Sequence, residues 1–305
     1  MRLATVLGAI GRACITAGVL ILLFVAYQLW GTGIREAQAQ SELETEFEER
    51  IGADLRAADE VTTTTAPGGT TEPGAPPPAP AEGDAIAHLR IPAIGVDKIV
   101  VSGVQVADLK RGPGHYPDSP LPGQPGNAAI AGHRTTYGAP FNRLDELEQG
   151  DEILVTTVQG AFRYEVRETL IVNPDQVEVL DDYGDDRLTL TACHPKYSAR
   201  QRIVVVAALI GDAAPASDAP ADPPDAAGDT EVASSQSIDA GLGGERASAW
   251  PAVLLALACA LIWIAAWLLG KVWRKWPAYL VSLPVFLVML FFFFENFSRL
   301  LPANF

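Results

Sequence analysis

The chain has 305 residues, a formal net charge of −15 and three cysteines. Residues 1–34 carry a net charge of +2 and residues 250–305 carry +3, so the region between them carries −20. Nucleic acid and anionic lipid are repelled by such an acidic region at low salt, so the composition predicts no nucleic-acid ligand. Long apolar and low-complexity segments use much of the length, which favours one globular domain over two.

The first apolar segment, residues 13–30, is uncharged over 18 positions and follows Arg2 and Arg12. That length is sufficient for a helix to cross the hydrocarbon core of a bilayer. We therefore predict a cytoplasmic tip and transmembrane anchor over residues 1–34. The alternative is a cleaved signal peptide, for which Ala37-Gln38-Ala39 resembles a cleavage site, but signal peptides usually have a shorter apolar region of ~7–15 residues.

Residues 35–84 are interpreted as a stalk followed by a linker. Within residues 40–58, Leu43, Phe47, Ile51 and Leu55 recur every four positions among acidic residues, which predicts a short amphipathic helix. The narrow apolar stripe favours a helix that rests on the catalytic domain over one that binds a partner protein. The Thr/Pro/Gly-rich segment over residues 62–82 has too little apolar surface to pack and is expected to be a linker.

The region over residues 85–211 has the pattern of an all-β domain. Short alternating or apolar runs are separated by Gly/Pro turns, which is typical of a β-sandwich or β-barrel. The predicted strands lie within residues 88–96, 98–102, 127–132, 151–158, 162–170, 177–180, 188–192 and 203–207. Residues 140–148 are the best candidate for a short helix, because Phe141, Leu144 and Leu147 have helical spacing.

The C-terminal part begins with a second linker over residues 212–249, rich in Ala, Asp and Pro. Two apolar spans follow over residues 250–270 and 276–294, separated by a basic turn. The pair is interpreted as a transmembrane hairpin with its turn in the cytoplasm, which leaves both linkers and the tail, residues 295–305, outside. The alternative interpretation is a buried helical pair in a soluble domain.

Two strand-like runs over residues 188–207 flank a polar turn, with Cys193 ending the first and Arg202 starting the second. This arrangement predicts a thiol and a guanidinium at one rim of a sheet. Cys14 and Cys259 lie in apolar spans, so Cys193 is the thiol expected to meet water. It is the candidate nucleophile, and His133 is the best candidate for its base.

Several alternatives stay open at this stage. A free cysteine can be a small buried hydrophobe, and a histidine can be buried for packing alone. Arg134 and Arg200 compete with Arg202 for the guanidinium role. The sequence contains neither zinc-ligand spacing nor a glycine-rich phosphate loop, so we expect no metal and no cofactor.

At these residues the chain resembles the sortases, over about residues 86–210. The stretch Thr189-Leu190-Thr191-Ala192-Cys193 matches the family pattern T-L-x-T-C, except that Ala192 replaces the usual threonine. The segments over residues 132–138 and 193–199 are similar to those of class E. The resemblance implies a closed eight-stranded β-barrel, with His133 and Arg202 as the essential histidine and arginine. The candidate substrate-binding residues are Tyr137, Thr191, Ala192 and His194.

The activity implied by the resemblance is cysteine transpeptidation. Such an enzyme would cut a C-terminal sorting signal of the LAxTG or LPxTG type between Thr and Gly through a thioester on Cys193. It would then join the acyl group to the amine of a lipid II-type peptidoglycan precursor. The implied partners are therefore surface proteins with a sorting signal, the cell-wall precursor and membrane lipid.

Two alternative functions remain. A pilus-polymerising sortase would use a pilin lysine as its amine, but such enzymes usually carry an Asp-Pro-Trp/Phe-like lid motif, and residues 56–84 contain none. The second alternative function is a membrane-anchored binding module that has lost catalysis. The replacement of the usual threonine by Ala192 leaves this alternative open.

The charge pattern generates a prediction about membrane topology. Protease added to intact protoplasts should cut within residues 40–82 and 212–244 and should leave the basic turn over residues 271–275 intact, because positively charged loops stay in the cytoplasm. Mass spectrometry of the fragments would identify the cleavage sites. Cleavage within the turn, or a mature chain that starts at Gln40, would contradict this topology.

Overall fold

The computed structural model describes residues 2–63, 80–216, 248–272, 275–298 and 300. The chain divides into two compact units, one built mainly from residues 1–32 and 244–303 and the other from residues 33–243. Most of the two predicted linkers, and most of the tail, lies outside the described residues.

The described helices are α1 (Arg2–Ala26), α2 (Thr32–Thr63), α3 (Val106–Leu109), α4 (Trp250–Val272) and α5 (Lys275–Ser298). Three of them contain stretches that are long and apolar enough to cross a membrane, over Val6–Ala26, Trp250–Lys271 and Tyr279–Ser298. Large apolar side chains on all sides of these helices are exposed, as in helices that face lipid. The three predicted membrane spans therefore coincide with helices of suitable length and composition.

Within the helical unit, a π-helical turn over Tyr27–Gly31 follows α1. Tyr27 packs in a cluster with Cys259 of α4 and with Leu290 and Phe294 of α5. Aromatic rings make edge contacts in this cluster, with ring centroids of Tyr27 and Phe291 5.3 Å apart. The packing of large aromatic side chains holds the three helices of this unit together.

The other unit contains a closed β-barrel, as the resemblance implied. Its strands are β1 (Ala85–Ile91), β2 (Val96–Ser102), β3 (Gly114–His115), β4 (Asn127–Ala131), β5 (Glu152–Thr157), β6 (Gly160–Val172), β7 (Arg187–His194) and β8 (Gln201–Ile210). Their order around the barrel is β1-β2-β3-β4-β7-β8-β6-β5. The pairs β2–β3 and β4–β7 are parallel, and the other pairs are antiparallel.

Successive side chains of strand β7 point alternately to the inner and the outer face of the barrel. Leu188, Leu190 and Ala192 point into the apolar core of the barrel. Thr189, Thr191 and Cys193 therefore point to the outer face, since successive side chains of a strand alternate. Both faces are nevertheless buried along this strand, because further chain segments cover its outer side. Thr189, Thr191 and Cys193 are thus buried without entering the core.

One predicted strand and one predicted helix differ in the structure. Residues Val177–Leu180 form a 3-10 turn instead of a strand. The side-chain amide of Asn127 donates hydrogen bonds to the carbonyl oxygens of Val179 (3.1 Å) and Asp181 (3.0 Å), which satisfies this backbone without a ladder. In the predicted helix over residues 140–148, only Leu144–Glu146 form a 3-10 turn.

Helix α2 packs on the outside of the barrel. Its side chains Leu43 and Phe47 are buried, and with the partly buried Ile51 they contact Ala85, Ile99 and Val101 of β1 and β2. The prediction that the apolar stripe rests on the domain is confirmed. The helix is longer than predicted, and the side chain of Leu55 lies outside the described residues.

Polar side chains of α2 complete this contact. The Gln40 side chain accepts a hydrogen bond from the backbone N–H of Ile99 (2.8 Å) and donates to the carbonyl oxygens of Ile99 (3.0 Å) and Arg111 (2.9 Å). Glu46 accepts from the N–H of Ala85, and Arg50 donates to the carbonyl oxygen of the same residue. The helix therefore replaces hydrogen-bond partners that β1 and β2 lack on this side.

We predict that this contact stabilises the barrel. Leu43→Ala should lower the free energy of unfolding by about 2–5 kcal/mol, the usual cost of removing a buried leucine side chain. Glu44→Ala, at an exposed neighbouring position, is the matched control and should change it by less than about 0.5 kcal/mol. Urea unfolding of the full chain in detergent, followed by far-ultraviolet circular dichroism, measures the free energy of unfolding of both variants. Equal urea midpoints would mean that α2 does not unfold together with the barrel.

Candidate active site

The thiol and guanidinium predicted from the sequence are neighbours at the barrel rim. Cys193 near the end of β7 and Arg202 near the start of β8 are directly opposite partners in the antiparallel ladder. Opposite residues share one face of a sheet, so both side chains lie on the outer face. Cys193 is 2% exposed and Arg202 is fully buried.

The turn between β7 and β8 fixes the Arg202 side chain. Its Nη1 atom donates hydrogen bonds to the carbonyl oxygens of Ala199 and Gln201, both at 2.9 Å. Arg200, which the sequence left as an alternative, lies in an exposed bend before β8. Of these two arginines, the structure holds Arg202 opposite the thiol.

His133 follows the neighbouring strand β4, which runs parallel to β7. Ala131 is the ladder partner of Thr191, and the N–H of Gly132 donates to the carbonyl oxygen of Thr191 (3.0 Å). His133 and Cys193 each lie two residues beyond this pair. The register of the parallel pair therefore leads the segment with the candidate base and the segment with the candidate nucleophile to the same rim of the barrel.

The His133 imidazole is buried, with 1% of the residue exposed. Among the described residues, neither of its ring nitrogens has a hydrogen-bond partner. Burial and, to a smaller extent, the positive charge of Lys110 lower the pKa of His133 to about 4. At neutral pH the ring is consequently uncharged and can accept a proton.

The loop after His133 has a strained backbone. Tyr137, Gly138 and Ala139 have φ angles of 50°, 71° and 44°, and only glycine adopts this left-handed region without steric cost. The ring of Tyr137 lies against His133, with 5.1 Å between the centroids, and the Lys110 ammonium lies 5.8 Å from the Tyr137 ring centroid. Strain of this kind is held by surrounding contacts and is concentrated at functional sites.

Helix α2 supplies one of the contacts that hold this loop. The carboxylate of Glu36 occupies the position that a Cβ atom on Gly138 would take, so a side chain there would collide with it. Glu36 is buried and forms an ion pair with Lys98 (2.6 Å). Burial raises the pKa of Glu36, although the hydrogen bond and charge of Lys98 oppose this shift. Sequence analysis missed Glu36, because the predicted amphipathic helix began only at residue 40.

The candidate substrate-binding residues fall in different environments. Thr191 shares the outer face with Cys193, and its hydroxyl lies 3.3 Å from that of Tyr116. Burial raises the pKa of Tyr116 to about 12. Ala192 instead points into the apolar core of the barrel, away from the thiol. His194 is partly exposed, and its Nδ1 atom accepts a hydrogen bond from Arg134 (3.1 Å).

A cavity of about 250 Å³ opens beside the outer face of β7. Tyr116 and Leu180 form part of its wall, and both also pack in the cluster that contains Cys193. Its polar lining comes from Asp118, Ser119, Asp181 and Asp182. Within the described part of the chain, no group of three or more His, Cys, Asp or Glu side chains is arranged to hold a metal ion.

The family model described as "Sortase domain" matches residues 89–210. Sortase SrtE1 of Streptomyces coelicolor is 34% identical over 213 residues, which cover 65% of this chain and 55% of that protein. Sortase SrtE2 of the same organism is 31% identical over 229 residues, which cover 68% of this chain and 83% of that protein.

A solved structure of sortase E from Streptomyces avermitilis is 35% identical, covers 43% of this chain and 91% of that chain, and has a TM-score of 0.40. Sortase D of Bacillus subtilis is 37% identical over 38% of this chain and 58% of its own length. The chain thus spans just over half the length of SrtE1 and of sortase D, and most of SrtE2.

We predict that removing the Lys110 charge raises the pKa of His133, because the neighbouring cation disfavours the imidazolium. The four histidines of the full chain, labelled with ¹³C, can be titrated by NMR in detergent and assigned with His133→Gln. In Lys110→Gln the His133 midpoint should rise from about 4, whereas Arg90→Gln, at an exposed position on β1, should leave it unchanged.

His115 provides an internal control for this titration. Burial also lowers the pKa of His115 to about 4, without a contribution from Lys110. Its midpoint should therefore be the same in wild type and in Lys110→Gln. An equal shift of both histidines would mean that the substitution loosened the barrel rather than removed a local charge.

Proposed function

The chain belongs to the sortase family of cysteine transpeptidases, and from this premise we propose that it is a membrane-anchored class E sortase with Cys193 as nucleophile, His133 as proton shuttle and Arg202 as oxyanion donor. The observation that carries the proposal is the ladder pairing of Cys193 with Arg202, at the rim where the parallel pair β4–β7 ends two residues before the buried His133. A nucleophile beside a base, with fixed donors opposite, is the arrangement that acyl transfer requires.

The first half of the reaction forms a thioester. Neutral His133 takes the proton of the Cys193 thiol, and the thiolate attacks the carbonyl carbon of the substrate threonine. The C–N bond to the following glycine then breaks, and the imidazolium gives its proton to the departing amine. The low pKa of His133 favours the last of these steps, because a buried imidazolium gives up its proton readily to the departing amine.

In the second half of the reaction an amine is the nucleophile and the Cys193 thiolate is the leaving group. An incoming amine gives a proton to His133 and attacks the thioester carbon, so that an amide bond forms and the Cys193 thiolate leaves. The imidazolium then returns the proton to the thiolate. In both halves the carbonyl oxygen becomes an oxyanion, which the rigidly held guanidinium of Arg202 can stabilise with N–H donors.

Access to the thiol requires a local movement. Cys193 and His133 are both nearly inaccessible to solvent, and the ring of Tyr137 lies against His133. We infer that the Tyr137 side chain moves and lines the groove when a peptide binds. Thr191 and Tyr116 would then lie along the same outer face, whereas Ala192 would contribute only its backbone because its side chain is in the core.

The proposed substrates are surface proteins with a C-terminal sorting signal, cut between Thr and Gly, with the LAxTG type favoured over LPxTG. The proposed acceptor is the amine of a lipid II-type peptidoglycan precursor. The three apolar helices support membrane anchoring, and the charge pattern supports an extracytoplasmic barrel. A lipid-linked precursor and a membrane-anchored enzyme share the membrane surface, which raises their effective concentration.

The proposal is tested with the full chain in detergent, a fluorogenic peptide containing L-A-E-T-G and triglycine as the acceptor amine. Wild type should release the glycine-containing fragment and form a new amide with triglycine, both detected by mass spectrometry. Cys193→Ala should do neither and should keep the circular dichroism spectrum of wild type, because it lacks the thiol that forms the thioester. Cleavage of the peptide by Cys193→Ala would contradict the mechanism.

The same assay tests the choice of arginine. Arg202→Lys should reduce kcat by ~10²–10³-fold, because lysine lacks the planar fork that the turn holds in place. Arg200→Ala, in the exposed bend, should change activity by less than about tenfold, or ~1.4 kcal/mol. A larger loss in Arg200→Ala than in Arg202→Lys would reverse the assignment.

A further inference from the structure

A second buried arginine lies behind the site. Arg134 follows His133 directly and is 1% exposed, and it is among the largest fully buried side chains of the protein. Removing a guanidinium from water costs several kcal/mol unless hydrogen bonds and an opposite charge compensate. The partners of this side chain therefore show what the fold uses it for.

On one side, Arg134 is tied to the turn over residues 142–146. Its Nη2 atom forms an ion pair with Oδ1 of Asp145 at 2.5 Å, and its Nε donates to the carbonyl oxygen of Asn142 (3.4 Å). The side-chain amide of Asn142 donates in return to the carbonyl oxygen of Arg134 (2.8 Å). Partial burial alone would raise the pKa of Asp145, but the hydrogen bond and charge of Arg134 bring it below its ordinary value.

On the other side, Arg134 reaches the end of β7. Its Nη1 atom donates to the carbonyl oxygen of Cys193 (3.4 Å) and to Nδ1 of His194 (3.1 Å). A guanidinium has donors only, so Nδ1 of His194 must be the acceptor, and the neutral ring then carries its proton on Nε2. The contact thus fixes both the Cys193 peptide plane and the tautomer of His194.

These contacts connect the two reacting groups through one side chain. Arg134 is covalently next to the candidate base and hydrogen-bonded to the backbone of the candidate nucleophile. We propose that Arg134, oriented by Asp145, is a positioning residue that sets the location of the Cys193 thiol relative to His133. The interpretation of its effect on turnover rests on the proposed transpeptidase function, whereas its effect on thiol reactivity does not.

Geometry explains why an arginine is required. Three nitrogen atoms of one planar group serve Asp145, Asn142 and the pair formed by Cys193 and His194. A lysine ammonium keeps the charge but is a single point that cannot reach all three directions. Arg134→Lys should therefore loosen the strand end, and a misplacement of about 1 Å at a reacting group can cost ~10²-fold in rate.

The test compares two substitutions with two matched controls in the full chain. Arg134→Lys and Asp145→Asn each weaken the proposed link. Arg143→Lys and Glu146→Gln make the same changes in an exposed ion pair of the same turn, in which the two side chains are 51% and 47% exposed. Urea midpoints show which variants are folded, and Asp145→Asn decides the outcome if Arg134→Lys does not fold.

Two readouts separate positioning from general stability. The first is the pH profile of Cys193 alkylation by iodoacetamide, with the modified peptide identified by mass spectrometry so that Cys14 and Cys259 do not interfere. In Arg134→Lys and Asp145→Asn its midpoint should differ from that of wild type, because a displaced thiol lies at a different distance from the Arg202 guanidinium, which favours its thiolate. The controls should match wild type.

The second readout is the split between kcat and KM for the L-A-E-T-G peptide. Both variants should lose ~10–100-fold in kcat with KM changed by less than about twofold, since the substitutions leave the candidate substrate-binding residues Tyr137 and Thr191 unchanged. If folded Arg134→Lys and Asp145→Asn matched their controls in alkylation and in kcat, the positioning role would be wrong. If wild type failed to cut the peptide, the proposed function would fail, and the alkylation profile would still decide the role of Arg134.

Discussion

The register between β4, β7 and β8 is the constraint on which the site depends. The parallel pairing of β4 with β7 leads the segments with His133 and Cys193 to one rim, and the antiparallel pairing of β7 with β8 sets Arg202 opposite Cys193. A shift of one residue in either ladder would turn a reactive side chain into the apolar core, because side chains alternate along a strand. Burial of Leu188, Leu190 and Ala192 in the core therefore also fixes the positions of the side chains on the outer face of β7.

Burial of the candidate catalytic groups has a consistent electrostatic effect. His133 is kept uncharged by desolvation and by Lys110, while the two buried guanidinium groups are compensated by backbone carbonyls and, for Arg134, by Asp145. Such a site is preorganised for charge that develops during reaction, because its donors are already oriented and little water must reorganise. Asp145, the counter-ion of Arg134, is partly exposed, so dissolved salt weakens the attraction between these two side chains.

Helix α2 links the barrel wall to the active-site loop. Its apolar stripe and Gln40 bind β1 and β2, and Glu36 lies against Gly138 in the strained loop that carries Tyr137. The stalk is thus part of the folded catalytic unit and not only a spacer. The strain at Tyr137 and Ala139 requires such external contacts, since left-handed backbone at non-glycine residues costs of order 1–3 kcal/mol each.

Features that depend on residues close together in the sequence could be predicted, whereas features that depend on distant residues could not. The apolar spans, most strands and the residues that match family motifs could be predicted from sequence, because hydropathy, alternation and short motifs are local properties. The stripe of α2 was also predicted to contact the domain, because its spacing marks one apolar face. Residues 177–180 were predicted as a strand from local composition, yet Asn127 gives that backbone other partners.

What the tertiary structure decided is which distant groups meet. Glu36 pairs with Lys98, and Arg134 binds Cys193, across 62 and 59 residues respectively. No local pattern encodes such contacts, because they exist only when the barrel closes and brings separate strands to one rim. The sequence by itself thus determined the chemical groups, the faces of the strands and the apolar helices that are long enough to cross a membrane. The burial that lowers the pKa of His133, and the bridge through Arg134, were decided by the packing of segments far apart in the chain.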